Sequence, residues 1–196
     1  ILAIETGDAA AGIARASVAK ELLARSGNRV LLGLATVVKG EALIEMRRLL
    51  EADTEFQSVL AGYTVITHPL AMAGAHRGVG RVRFAEAKYA DAIASLEMAL
   101  ELYERLARAQ EAARTEVHLA EAQAGAGRIS NASVHIENAC RKFKEIGAER
   151  DLADNCRERM RADVIPELGI MKRLRRLHGL LQHLKLRVGP RRHVVS

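Results

Sequence analysis

The feature that most limits what this chain can fold into is a self-similarity at an offset of 40 residues. Setting Ala92 on Ala132 also brings Ala99 onto Ala139, Leu100 onto Cys140 and Tyr103 onto Phe143. The same shift places Val79 on Leu119, Gly80 on Ala120 and Ala87 on Gly127. An earlier stretch, Ala52-x-x-x-Phe56, reads as a third, partial copy of the Ala-x-x-x-Tyr/Phe pattern at 99–103 and 139–143, offset by 47. A fixed period of this length marks a repeat architecture. One unit cannot bury its own apolar face, so neighbours must stack to cover it.

Within each period the pattern is helical. Apolar residues at 89, 92, 93, 96, 99, 100 and 103 follow the alternating three-and-four spacing of one helix face. Asp91 falls in the first turn, where the helix dipole favours an anion. Thr67-His68-Pro69 predicts a helix start, since an early proline lacks only an N–H that has no helical acceptor. That helix runs to about Ala87, with Gly74, Gly78 and Gly80 as notches for a close neighbour. Another spans Ala109 to Ala124 and stops at Gly125-Ala-Gly127. Ser130 is the expected N-cap of the next, Asn131 to Glu145, which should bury Val134, Ile136, Ala139, Cys140 and Phe143 and end at Gly147. Aromatics make up only 3% of the chain and its prolines are Pro69, Pro166 and Pro190, which argues against a β-rich fold.

These positions resemble the tetratricopeptide repeat, with small residues at the close helix contact and Ala, aromatic and Ala-Leu positions on the second helix. The family period is about 34 residues. The longer spacing here is similar to the extended arrays of large bacterial ATP-dependent transcription activators and cyclases. The stretch from Phe143 to Ala153 looks like their repeat junctions. The likeness covers 70–162 best and is degenerate over 8–60, and the usual Trp and repeat-end Pro are missing. It implies an all-α, right-handed solenoid of antiparallel helix pairs over 1–162. It also implies a concave face, lined by the first helix of each pair, that serves a non-catalytic protein–protein interaction scaffold. The partner would be a protein, a peptide or another domain of the same parent chain, in a bacterial signalling or transcription-regulatory protein. In this register Arg77, Arg81 and Phe84 line the face from one pair, and Arg114, Val117 and Glu121 from the next. Arginines there could fork onto carboxylates. The Lys/Asn carboxylate clamp of some family members is not reproduced, because Arg77, Arg81, Val117 and Glu121 stand where it would lie.

Charge divides the chain. The formal net charge is +6, yet residues 170–196 carry eight Lys and Arg and no acid, leaving the rest near neutral. Pro166 and Gly169 set off a second region, 163–196, whose Leu174, Leu177, Leu181 and Leu184 form a stripe. A basic amphipathic helix is expected there. Lys172, Arg173, Arg175 and Arg176 would contact nucleic acid or an anionic surface, or the leucines would dock on the solenoid as its last helix. No aromatic residues interleave the charges to stack on bases.

Other classes find no support. No apolar run reaches the roughly 18 residues of a membrane span. Ile1 to Ala14 is too polar for a secretory leader, and the opening without Met reads as a piece of a longer protein. Cys140 and Cys156 suggest buried thiols in a reducing, cytoplasmic setting. Gly74-Ala-His-Arg-Gly78-Val-Gly80 lacks the Lys-Ser/Thr of a phosphate loop, and Asn131-Ala-Ser133 matches a glycosylation sequon by chance. His118 and His135 sit on consecutive helices and could approach each other, but the histidines show no metal-ligand spacing. No nucleophile elbow occurs. The expectation is no enzyme, no cofactor and no metal.

Overall fold

The structure, a computed structural model, describes residues 9–148. They form seven helices and, among the described residues, no strand: α1 (Ala9–Ser26), α2 (Arg29–Glu45), α3 (Leu49–Gly62), α4 (Pro69–Ala85), α5 (Tyr89–Arg105), α6 (Ala109–Gly125) and α7 (Ile129–Glu145). From α2 onward a helix begins every 20 residues, at 29, 49, 69, 89, 109 and 129. The region expected to be degenerate therefore keeps the same pitch, with α2 and α3 starting 40 residues before α4 and α5.

The turns explain that regularity. Gly27, Arg47, Ala87, Ala107, Gly127 and Gly147 all have positive φ, between 53° and 76°. After α4, Lys88 donates its amide to the Arg83 carbonyl and Ala87 donates to Phe84, both at 2.9 Å. The amides of Arg48, Arg108, Arg128 and Ala148 make the same backward bond. This is the Schellman stop, in which one left-handed residue satisfies two orphan carbonyls and lets the next helix begin two residues later. The rhythm skips only position 67. There α3 ends early at Gly62, because Thr64-Val65-Ile66-Thr67 is a β-branched run of low helix propensity. Pro69 then opens α4 as its first residue, as expected.

Each helix packs on the next in sequence, and α2 and α6 also touch α4. Burial follows the 40-residue period: Ala52, Ala92 and Ala132 are fully buried, as are Phe56 and Leu96, with Ile136 nearly so. Phe56 is thus the counterpart of Leu96 and Ile136, not of Tyr103 and Phe143, and the offset of 47 is corrected to 40. At that offset Tyr63 is the counterpart of Tyr103 and Phe143, and the first copy carries a further aromatic, Phe56, seven residues earlier, which misled the alignment. The core is a chain of small clusters shared by consecutive helices. Val37, Phe56, Val79 and their neighbours join α2, α3 and α4; Met72, Tyr103 and Ala112 join α4, α5 and α6. Farther along, Val117, Ala139 and Phe143 join α6 to α7.

The expected glycine notches are present. A methyl group on Gly78 would fall on the Phe56 ring, and one on Gly40 would come within 2.5 Å of it. The aromatic ring fits only because both helices lack side chains there.

Three local expectations fail. Cys140, expected to be buried, is half-buried beside the α6–α7 core. Val134 is 55% exposed; it lies two positions from Ile136, about 200° around the helix, and cannot share its buried stripe. Ser130 is not an N-cap: the tight turn at Gly127 starts α7 at Ile129, leaving Arg128 at the cap with no side-chain bond. Residues 149–196, including the proposed boundary at 162 and the basic helix, lie outside the described residues.

Candidate interaction surface

Alternate helices α2, α4 and α6 lie side by side, and their charged residues meet across the joints. Arg77 on α4 is ion-paired with Glu41 on α2, and its guanidinium carbon sits 5.4 Å from the centre of the Tyr103 ring. Only 12% of the Arg77 side chain is exposed. Burial alone would disfavour both charges. The two charges and their hydrogen bond outweigh it, holding Arg77 above the usual arginine value and Glu41 below the carboxylate range. Burial pushes the Tyr103 hydroxyl up to about 12. Arg77 is therefore a committed structural cation, not an open arginine waiting for a ligand, which corrects its expected role. Its counterpart 36 residues back was invisible to any local pattern.

One turn on, Arg81 donates to Glu45 at 2.7 Å, again a pair 36 residues apart. Beyond that pair the surface opens into a cleft of about 360 Å³ at the C-terminal ends of α2 and α4. Ile44, Leu49, Phe84 and Leu96 supply its apolar walls. Its rim is charged: Glu45 from the end of α2, Arg47 from the α2–α3 turn, Arg81 from α4, and His118 and Glu121 from α6. His118 Nδ1 and Glu121 Oε2 are 3.0 Å apart.

Three of the sequence-predicted residues, Arg81, Phe84 and Glu121, are thus brought together in one cleft. Arg114 is half-buried on α6 and does not line it. Val117 is only 1% exposed, packed with Ala113, Ala139 and Phe143, and is corrected from surface to core. Ile44, Glu45, Arg47, Leu49 and His118 went unrecognised as lining. A signal for Arg47 existed: the 20-residue turn rhythm puts an arginine where Gly27, Gly127 and Gly147 stand.

The two histidines do not pair with each other. His135 Nδ1 lies 2.6 Å from Glu116 Oε2, while Lys142 reaches Glu116 at 3.1 Å and Glu104 at 2.6 Å. Burial of Glu116 opposes its charge, but the bonds from His135 and Lys142 prevail and keep its carboxyl below the usual range. This network ties α5, α6 and α7 together, and none of its residues lines the cleft beside Arg81. Among the described residues, no group of three or more His, Cys, Asp and Glu is placed to hold a metal ion. No described helix is long and apolar enough to cross a membrane. Lys172, Arg173, Arg175 and Arg176 lie outside the described residues.

No protein-family model matches the chain, and no curated protein aligns with it significantly.

Proposed function

We propose that this chain is a non-catalytic protein-interaction scaffold whose α2–α4–α6 face receives a peptide or another domain. One observation carries the reading: three successive helix pairs contribute to a single cleft with apolar walls and a rim of both signs. Side-chain recognition by proteins favours such concave, mostly apolar sites with a few placed charges. The residue resemblance to tetratricopeptide arrays adds the setting, a right-handed stack in the regulatory segment of a cytoplasmic bacterial signalling or transcription protein.

Photo-crosslinking tests the reading. A photoreactive residue at His118, in the cleft, should give a discrete adduct in extracts of the source cell. The same group at Met98, which is 50% exposed on α5 and outside the cleft, should not. Equal labelling from both sites, or none from His118, overturns it. A second reading, nucleic-acid binding, is favoured by the acid-free basic run 170–196. Deleting that run separates the two: loss of salt-sensitive DNA binding supports the second, whereas loss of folding marks a docked last helix and supports the first.

A further inference from the structure

We propose that Cys140 and Cys156 form a dithiol modification site, which a small-molecule disulfide oxidises to an intramolecular disulfide tying α7 to the segment that follows it. The site lies away from the cleft and stands whatever the cleft receives.

Cys140 is half-buried on α7, packed against the cluster of Val117, Ala139 and Phe143 and against that of Ala120 and Ile136. The turn rhythm dictates what comes after α7. At 27, 47, 87, 107 and 127 a residue of positive φ is followed by a helix that starts two positions on. Gly147 has a φ of 67°, and the Ala148 amide closes the same backward bond, to Phe143 at 2.9 Å. Residues from 149 onward lie outside the described residues. The rhythm predicts a helix from 149, with Cys156 two turns from its start.

The joint between α5 and α6, one period earlier, supplies the register. There Tyr103 shares a cluster with Ala112, and Leu96, two turns back along α5, shares one with Leu119. Leu100 stands between them and packs on both clusters, so it faces α6 at the level of Thr115 and Glu116. Glu116 indeed reaches this stretch of α5, since it shares Lys142 with Glu104. The joint between α3 and α4 has the same register: Phe56 clusters with Val79, and Leu60 packs on the cluster that holds Ala75. A shift of 40 carries Leu100 to Cys140 and Glu116 to Cys156. The two earlier joints place Leu60 with His76 and Leu100 with Glu116 at these positions; the joint after α7 places the chain's two cysteines there. Small side chains at a helix contact let Cα atoms come within the roughly 4.4–6.8 Å that a disulfide spans.

The oxidation balances within thiol–disulfide exchange. One protein thiolate attacks a sulfur of the small disulfide, whose S–S bond breaks; a mixed disulfide forms and one small thiolate leaves. The second protein thiolate attacks the protein-side sulfur of that mixed disulfide, forming the bond between Cys140 Sγ and Cys156 Sγ and releasing the second small thiolate. The protein gives up two electrons and two protons, and the small disulfide takes up both.

The test equilibrates the full 196-residue chain with mixtures of reduced and oxidised glutathione, in native buffer and in concentrated urea. After an acid quench, mass analysis without reduction should find the tryptic peptides 129–141 and 151–157 linked to each other. Because the folded joint holds the two sulfurs together, their effective concentration in native buffer should exceed the urea value by about tenfold or more. Moving the thiol two positions, with Asp154→Cys in a Cys156→Ser background, turns it about 200° around the predicted helix and should abolish that advantage. Equal effective concentrations of the wild type in native buffer and urea overturn the proposal, and so does an equal native advantage for the two thiol positions. Linkage between two chains, or glutathione held on Cys140 without the internal bond, overturns it as well. The wild-type comparison needs no substitution, so it decides even where a variant folds poorly.

Discussion

The front of the stack, where α3 wedges against α2 and α4, and the rear, where α7 lies on α6, share one helical frame but fill it differently. In front a phenylalanine, Phe56, enters a gap cleared by Gly40 and Gly78. At the rear Ile136 sits with Ala120 and Ala132, a smaller wedge against a methyl-lined wall. The charges differ in kind as well. At the front α4 joins α2 through arginine, Arg77 to Glu41 and Arg81 to Glu45, and Lys20 and Lys39 meet on Glu55 of α3, whereas the rear buries Glu116 between His135 and Lys142. A repeat frame therefore demands volume and charge balance at each joint but not particular side chains. Similarity among the copies survives in turns and alanines and fades in the wedges.

The largest expected effect comes from removing the wedges. Phe56→Ala should cost about 3–5 kcal/mol and Ile136→Ala about 2–4 kcal/mol in urea unfolding, because each leaves a cavity that the helices cannot fully close. In a one-dimensional stack the damage should stay local. Amide exchange should quicken in α2–α4 for the first variant and in α6–α7 for the second. Uniform acceleration in both variants would show a single cooperative unit and erase the distinction between front and rear.

Much of the fold was legible because helices declare themselves locally. The face at 89, 92, 93, 96, 99, 100 and 103 and the stop at Gly125-Ala-Gly127 needed no distant information, and α5 and α6 fall within two residues of expectation. The interaction surface was legible only in part. Arg81, Phe84 and Glu121 follow from helix register, but Arg77 loses its availability to Glu41, 36 residues away on another helix. Val117 was misplaced because its helix is buried on more than one side. It packs on Ala139 and Phe143 of α7, while its neighbours Thr115, Glu116 and Leu119 are buried as well. Ser130 illustrates a preference overruled: its capping propensity is real, but the two bonds of the Gly127 turn fix the helix start first.

Alkali should separate front from rear where acid cannot. Glu41 and Glu116 both titrate below the ordinary carboxylate value, so each contributes stability above that value and loses it as pH falls through its own folded-state value. Front and rear thus both weaken in acid. Lys142 is different. Burial opposes its charge, yet Glu104 and Glu116 hold its ammonium above the usual 10.5, so its contribution is complete below 10.5 and disappears as pH rises through the folded value. The arginines that bind α4 to α2 and α3, Arg77, Arg81 and Arg83, stay charged throughout that range. Amide exchange compared at matched chemical rates should therefore show α6–α7 loosening before α4 above pH 10.5, and Lys142→Met should abolish the difference. Simultaneous loosening of α4 would mean that the arginine joints give no advantage.

The smallest effect concerns the turns themselves, where the rear is the better built. Gly127 and Gly147 meet the left-handed requirement without a Cβ, while Ala87 and Ala107 hold φ of 58° and 53° against it. Replacing either alanine by glycine removes about 1 kcal/mol of strain. Part of that gain is offset, because glycine widens the unfolded ensemble by a few tenths of a kcal/mol or more. The net should be a stabilisation of about 0.5 kcal/mol per site, additive for the pair because the two turns share no partner. The reverse change, Gly127→Ala, should cost about 1 kcal/mol. Both follow from thermal unfolding of the single and double variants. Glycine at 87 or 107 that lowers the melting temperature would show that the 20-residue rhythm is set by helix packing, with the turns adapting to it.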